Sequence, residues 1–140
     1  MVTRSLAVIA IAGLVACERL SSDEEKLVGS WEARTAPDSV TTFTFDRNHT
    51  DWCVVTHRED TWLDGSGRWR IDGGQIVFDD VTYPEVAPDV AAKDPELANR
   101  PKHYTATFEQ VGRDKIKLNE VTLTRTKRRA KPSQPAPFSP

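Results

Sequence analysis

The sequence predicts an all-β fold: an antiparallel up-and-down meander that closes into a small barrel of seven or eight strands. Three observations predict it. Residues 65–78 hold two alternating segments joined by Gly73-Gly74, a pair suited to the positive φ angles of a tight hairpin turn. Trp69 and Ile71 alternate there with Arg68, Arg70 and Asp72, and Ile76 and Phe78 continue the apolar face on the return. Comparable alternation recurs along residues 27–125, broken at short intervals by turn residues. A meander of this length leaves unpaired edges, and closing the sheet removes them.

The strands follow in order. Leu27 to Arg34 opens the folded part, with Leu27, Trp31 and Ala33 on one parity and Ser30, Glu32 and Arg34 on the other. Pro37-Asp38 is a turn. Val40 to Asp46 sets Phe43 and Phe45 against Thr42, Thr44 and Asp46, and Arg47-Asn48-His49 turns the chain again. Asp51 to Arg58 has two equally apolar faces, Trp52/Val54/Thr56 and Cys53/Val55/His57, so its orientation and the burial of Cys53 stay open. Glu59 to Asp64, with Trp62, reads as a turn region before the glycine hairpin.

Asp79 to Lys102 holds Pro84, Pro88, Pro95 and Pro101 and reads as a long loop. Asp94 and Pro95 are placed there to cap and start one helical turn. His103 to Gln110 is the next strand, with Tyr104, Ala106 and Phe108 on one face. Ile116/Leu118 and Val121/Leu123 differ in parity, which implies a bulge or short turn at Asn119-Glu120. The inward set is mostly bulky, so the interior is expected to be largely filled.

A chain of 140 residues is one domain's worth. The net charge of −2 hides an asymmetry: residues 125–140 carry five basic side chains and no acid. Arg4 is the only charge in the first sixteen residues, so residues 17–124 hold 13 basic against 21 acidic side chains. An acidic domain with a short basic tail lacks the basic face that nucleic-acid phosphates require.

The first residues read as an address. One positive charge precedes the apolar run Leu6 to Ala16, which is too short to span a bilayer, a task for about 20 residues. It suits a secretory signal. Its end, Leu14-Val15-Ala16-Cys17, resembles the lipobox of bacterial lipoproteins. That resemblance implies cleavage after residue 16, lipidation of Cys17 and a membrane anchor, since two or three acyl chains hold a protein firmly. Glu18, where an aspartate favours inner-membrane retention, leans towards the outer membrane facing the periplasm. The domain plan is then 1–16 signal peptide, 17–26 polar tether with a helical turn capped by Ser22, 27–125 barrel, and 126–140 basic Pro-rich tail.

Gly29-Ser30-Trp31 resembles the G-x-W motif that opens lipocalins, in which an Arg from the last strand packs across the Trp ring. Arg125 has the parity of Val121 and Leu123 and would supply it. Together with Phe43-x-Phe45 and the Gly67-x-Trp69-x-Ile71 hairpin, the pattern resembles the short lipocalin-like domains of bacterial lipoproteins. In outline it is also similar to small barrel proteins that inhibit proteases or lysozyme. Gly29, Trp31 and Arg125 are the barrel-closure residues that the resemblance implies.

Catalytic chemistry finds little purchase. Cys53 and His57 are four residues apart on one strand, about 13 Å by strand rise, too far for a thiolate–imidazole pair. His49, Asp51, Cys53, His57 and His103 offer donor atoms without C-x-x-C or H-x-x-x-H spacing, so the histidines read as solvated and no metal or other cofactor is expected. Gly65-x-Gly67 precedes a strand rather than a helix and is no dinucleotide fingerprint. The expectation is therefore a non-enzymatic, membrane-anchored binding module. Its rim loop would contact an envelope protein through Tyr83, Val86, Val90 and Leu97. The alternatives are a small apolar ligand carried inside the barrel, or a structural or accessory (inhibitor-like) lipoprotein with no discrete ligand.

Overall fold

The computed structural model describes residues 19–127. The proposed signal segment, Cys17, and the tail from residue 128 lie outside them. Eight antiparallel strands form a closed barrel in chain order. They are β1 (Gly29–Ala36), β2 (Ser39–Phe45), β3 (Thr50–His57), β4 (Asp60–Asp72), β5 (Gln75–Thr82), β6 (Tyr104–Gly112), β7 (Lys115–Leu118) and β8 (Val121–Thr126). The ring closes where β1 pairs with β8, Trp31 opposite Arg125. Helix α1 (Ser22–Leu27) precedes β1, and helices α2 (Pro88–Lys93) and α3 (Pro95–Ala98) lie between β5 and β6.

In a meander the turns alternate between the two ends. The β2–β3, β4–β5 and β6–β7 turns share the end where β1 begins beside α1. The β1–β2, β3–β4 and β7–β8 turns share the other end with the long β5–β6 connection. The first end is shut and the second is the mouth.

The shut end is built on α1. Its N-cap is Ser21, one residue before the position expected, in a reciprocal capping box with Glu24. The other Glu24 oxygen accepts from the Ile71 backbone N–H at 3.0 Å and faces His49 Nε2 at 3.3 Å. Both side chains are buried, so His49 is no solvated histidine: a helix and a turn distant in sequence meet over it. Burial alone pushes the Glu24 carboxyl up, but hydrogen bonds from Ser21, Ile71 and His49 outweigh it and hold the group below its ordinary value. Leu27, Trp31, Phe45, Trp69, Ile76, Phe78, Ile116 and Leu123 pack beneath as the core.

The glycine hairpin forms as expected, with φ of 58° at Gly73 and 82° at Gly74. Asn119, at φ 51°, makes the register change between β7 and β8 a tight turn. Several elements differ from expectation. Leu27 ends α1 and does not open the first strand, which starts at Gly29. Helix α2 forms in the stretch that reads as loop. β4 begins at Asp60, so residues 60–64 are strand and not turn. A bulge between the Cys53 and Val54 pairings admits the extra residue, Asp64. Gly65 and Gly67 serve close approach: a Cβ would lie 3.3 Å from the Tyr83 ring at the first and 2.8 Å from the Asp79 carbonyl at the second. The long loop is also shorter than 79–102, because Asp79–Thr82 stay on β5 and Val81 is buried.

Candidate functional site

Register fixes the orientation that the sequence left open. Asp51, Cys53 and Val55 stand opposite Phe45, Phe43 and Thr41, so they face the barrel interior. Trp52, Val54 and Thr56 face outward.

The interior is filled at the shut end and hollow at the mouth. A pocket of about 310 Å³ opens there, lined by Ala33, Thr35, Thr41, Phe43, Phe78, Tyr104, Ala106, Leu118, Asn119, Val121 and Leu123. The lining is almost wholly apolar. The space exists because β1 carries Ala33 and β6 carries Ala106 where bulky neighbours would meet across the barrel. Phe78 and Tyr104 stack at 4.7 Å and form one firm wall. Val121, inward by parity, sits at the lip and is 49% exposed.

A polar cluster adjoins the pocket. Asp51, Cys53, Asp64, Arg100, Tyr83 and Tyr104 lie within electrostatic reach of one another. Burial pushes the Asp51 carboxyl up to about 6. Its Oδ1 is buried and has no hydrogen-bond partner among the described residues. Burial, then the charges of Asp64 and Asp51, push the Cys53 thiol up, with Arg100 opposing. A thiol held protonated is a poor nucleophile. His57 bonds Ser39 Oγ through Nδ1 at 2.7 Å. Among the described residues no cluster of His, Cys, Asp or Glu is arranged to hold a metal ion.

The β5–β6 connection is tied to this cluster. Arg100 donates to Asp64 Oδ1 at 2.9 Å, and its guanidinium carbon lies 4.1 Å from the Tyr83 ring centre. The Tyr83 hydroxyl donates to the Pro101 carbonyl at 2.6 Å, and Val81 N–H to that of Lys102 at 3.0 Å. Of the rim residues singled out from sequence, Tyr83, Val86 and Leu97 line one open cleft of about 570 Å³ on the connection. Val90, on α2, is not in that lining. Tyr83 is largely engaged by its own loop. Another groove of about 600 Å³ lies at the shut end among Arg19, Glu24, His49, Arg70 and Asp79. Within it Arg70 pairs with Asp79 and Glu24 with His49.

At the shut end the sequence-implied closure residues come together. The Arg125 guanidinium lies 4.2 Å from the Trp31 ring centre, and Trp31 is fully buried. At Gly29, φ is 128° and a Cβ would meet Arg125 Nη1 at 2.7 Å, so glycine is required there. Comparison of the chain with protein-family models, curated proteins and solved structures returned no match. The closed eight-stranded meander is compatible with a lipocalin-like fold.

Sequence reasoning missed Asp51, Glu24 and His49 as interior groups. A carboxylate at inward parity between Phe45 and Cys53 was the available signal for Asp51. Nothing local marks the Glu24–His49 pair.

Proposed function

We propose that this chain is a lipid-anchored envelope protein, lipocalin-like in build, that binds one small apolar molecule in the mouth of its barrel without chemical conversion. The apolar pocket of about 310 Å³ carries this reading. It lies at the low end of ligand-pocket volumes, roughly 300–1,000 Å³, and is walled by rigid strands. Such a preformed cavity loses little conformational entropy on binding. Sequence alone put a rim-bound protein partner first because the interior was expected to be filled; the hollow mouth reverses that order.

Titration with the neutral fluorophore N-phenyl-1-naphthylamine tests the reading. One saturable, blue-shifted binding event per chain is expected, and Ala106→Phe should abolish it while the circular dichroism stays the same. Equal binding by wild type and variant would place the probe elsewhere.

The anchor rests on Leu14-Val15-Ala16-Cys17 alone. Metabolic labelling with a clickable fatty acid should mark the wild type and spare Cys17→Ser. Equal labelling of both contradicts it.

A rim-bound protein remains a second reading, favoured by the Tyr83/Val86/Leu97 cleft. Replacing residues 85–98 by a short Gly-Ser linker keeps Val81, Tyr83 and Arg100. Pull-downs from native envelope with and without the segment should then differ by that partner.

A further inference from the structure

Both ends of the described chain meet the barrel at the shut end. Helix α1 starts there at Ser22, and Arg19 lines the groove beside it. Strand β8 finishes at Thr126, opposite Ser30 at the start of β1. The β6–β7 turn lies at the same end and touches β8: the Arg125 backbone N–H donates to the Asp114 carbonyl at 2.8 Å. In sequence, Cys17 precedes Arg19 by two residues, so the proposed anchor would hold this end as well.

The two ends of the barrel differ in charge. The acids of α1 and of the β6–β7 turn are answered within the fold: Asp23 by Lys26, Glu25 by Arg47, Glu24 by His49 and Asp114 by Arg125. Arg113 and Lys115, on either side of Asp114, and Lys127, two residues beyond Arg125, are exposed and have no acid partner among the described residues. Arg128, Arg129 and Lys131 extend this basic run in the sequence. At the mouth the surplus is acidic. Glu59 and Asp60 at the β3–β4 turn, and Asp89, Asp94 and Glu96 on the β5–β6 connection, are exposed without a cation partner among the described residues.

We infer that the shut end is a docking surface for an anionic membrane, with Arg113, Lys115 and Lys127 set against the lipid phosphates and the mouth turned to the aqueous side. Basic side chains near an anionic lipid surface are attracted to it, over a range limited to about one Debye length, roughly 10 Å at 0.1 M salt. The acidic mouth is repelled by the same surface, so the charge polarity orients the barrel as well as holding it. An acyl anchor alone fixes one point and leaves the barrel free to swing about its tether. The basic patch supplies a second point on the same end. Neither the pocket nor its ligand is needed for this docking, and the anchor adds to it.

Lysine acetylation by a membrane-impermeant reagent, read by mass spectrometry on the full chain, tests this. The protein is compared on vesicles of phosphatidylcholine alone and of phosphatidylcholine with phosphatidylglycerol. Lys93 and Lys102, exposed on the β5–β6 connection, are the internal reference. Lys115 and Lys127 should react about fivefold or more slowly on the anionic vesicles than on the neutral ones, with the reference unchanged. High salt should lift that protection. Arg113→Gln with Lys115→Gln, both at exposed positions, should weaken the protection of Lys127. Equal labelling on the two kinds of vesicle, protection of Lys93 and Lys102 instead, or full protection of Lys127 in the double variant overturns docking through this patch. Protection by inorganic phosphate without vesicles overturns a membrane as the partner. A chain that leaves neutral vesicles but stays on anionic ones, with Lys115 and Lys127 protected, lacks the lipid anchor and still docks as inferred.

Discussion

Arg125 covers the Trp31 ring at 4.2 Å and, in the same position, donates to the carbonyls of Val28 and Lys26, each at 2.8 Å. One side chain therefore joins the last strand to the first and both to the end of α1. The Trp31 indole N–H completes the closure by donating to the Leu27 carbonyl at 2.7 Å.

Trp31→Ala should destabilise the protein by roughly 3–5 kcal/mol, the usual cost of deleting a large buried aromatic. Arg125→Ala should cost less, about 1–2 kcal/mol, because the guanidinium is partly solvated and its cation–π share is modest. Arg125→Lys should not restore the loss, since an ammonium cannot stack on the ring and serve two carbonyls at once. Urea titration checks all three, and a Trp31→Ala loss under about 1 kcal/mol would show that the ring closes nothing.

Glu24→Ala should lower stability at neutral pH by about 1–3 kcal/mol, because the Ile71 N–H loses its buried acceptor. The Glu24 carboxyl lies below its ordinary value in the folded state. Its contribution is therefore complete above about 4.5 and disappears as pH falls through the lowered folded value. Stability measured from pH 6 downwards should converge for wild type and variant in acid. Parallel curves would contradict the linkage.

Asp51 works in the opposite direction. Its folded value, about 6, lies above the ordinary 3.8, so the folded state holds the proton longer. Wild-type stability should fall as pH rises from about 4 to about 6 and level off above, by at most about 3 kcal/mol from this group. Asp51→Asn should remove that slope and be the more stable protein at pH 7. Such a gain from deleting a charge would mark Asp51 as a residue kept for something other than stability. A less stable Asp51→Asn at neutral pH would show that the carboxylate is satisfied in the folded state.

Much of the barrel was legible because alternation is a local signal. Trp69, Ile71, Ile76 and Phe78 face inward as their parity implies, and the Gly73-Gly74 turn needs no distant information. What was lost is what depends on distant partners. Residues 60–64 look like a turn in sequence; in the barrel they are part of a bulged strand, and Gly65 and Gly67 beyond them make room for Tyr83 and the Asp79 carbonyl. Pro88 at a helix start followed by Asp89 marked α2 as well as Pro95 marked α3, and the proline count obscured it. The mouth pocket escaped because parity says which side chains point inward, not whether they meet. Ala33 and Ala106 leave a gap that only the closed ring defines.

The central claim is that the mouth, and no other concavity, holds a small molecule. Two-dimensional NMR of the labelled protein during titration with 2-phenylethanol tests it most directly. The account predicts saturable shifts clustered on Ala33, Phe43, Tyr104, Ala106, Leu118 and Leu123, with Glu24, His49 and Ile71 unmoved at the shut end. Shifts centred on the shut-end groove or on the Val86/Leu97 cleft, with the barrel interior silent, would contradict it.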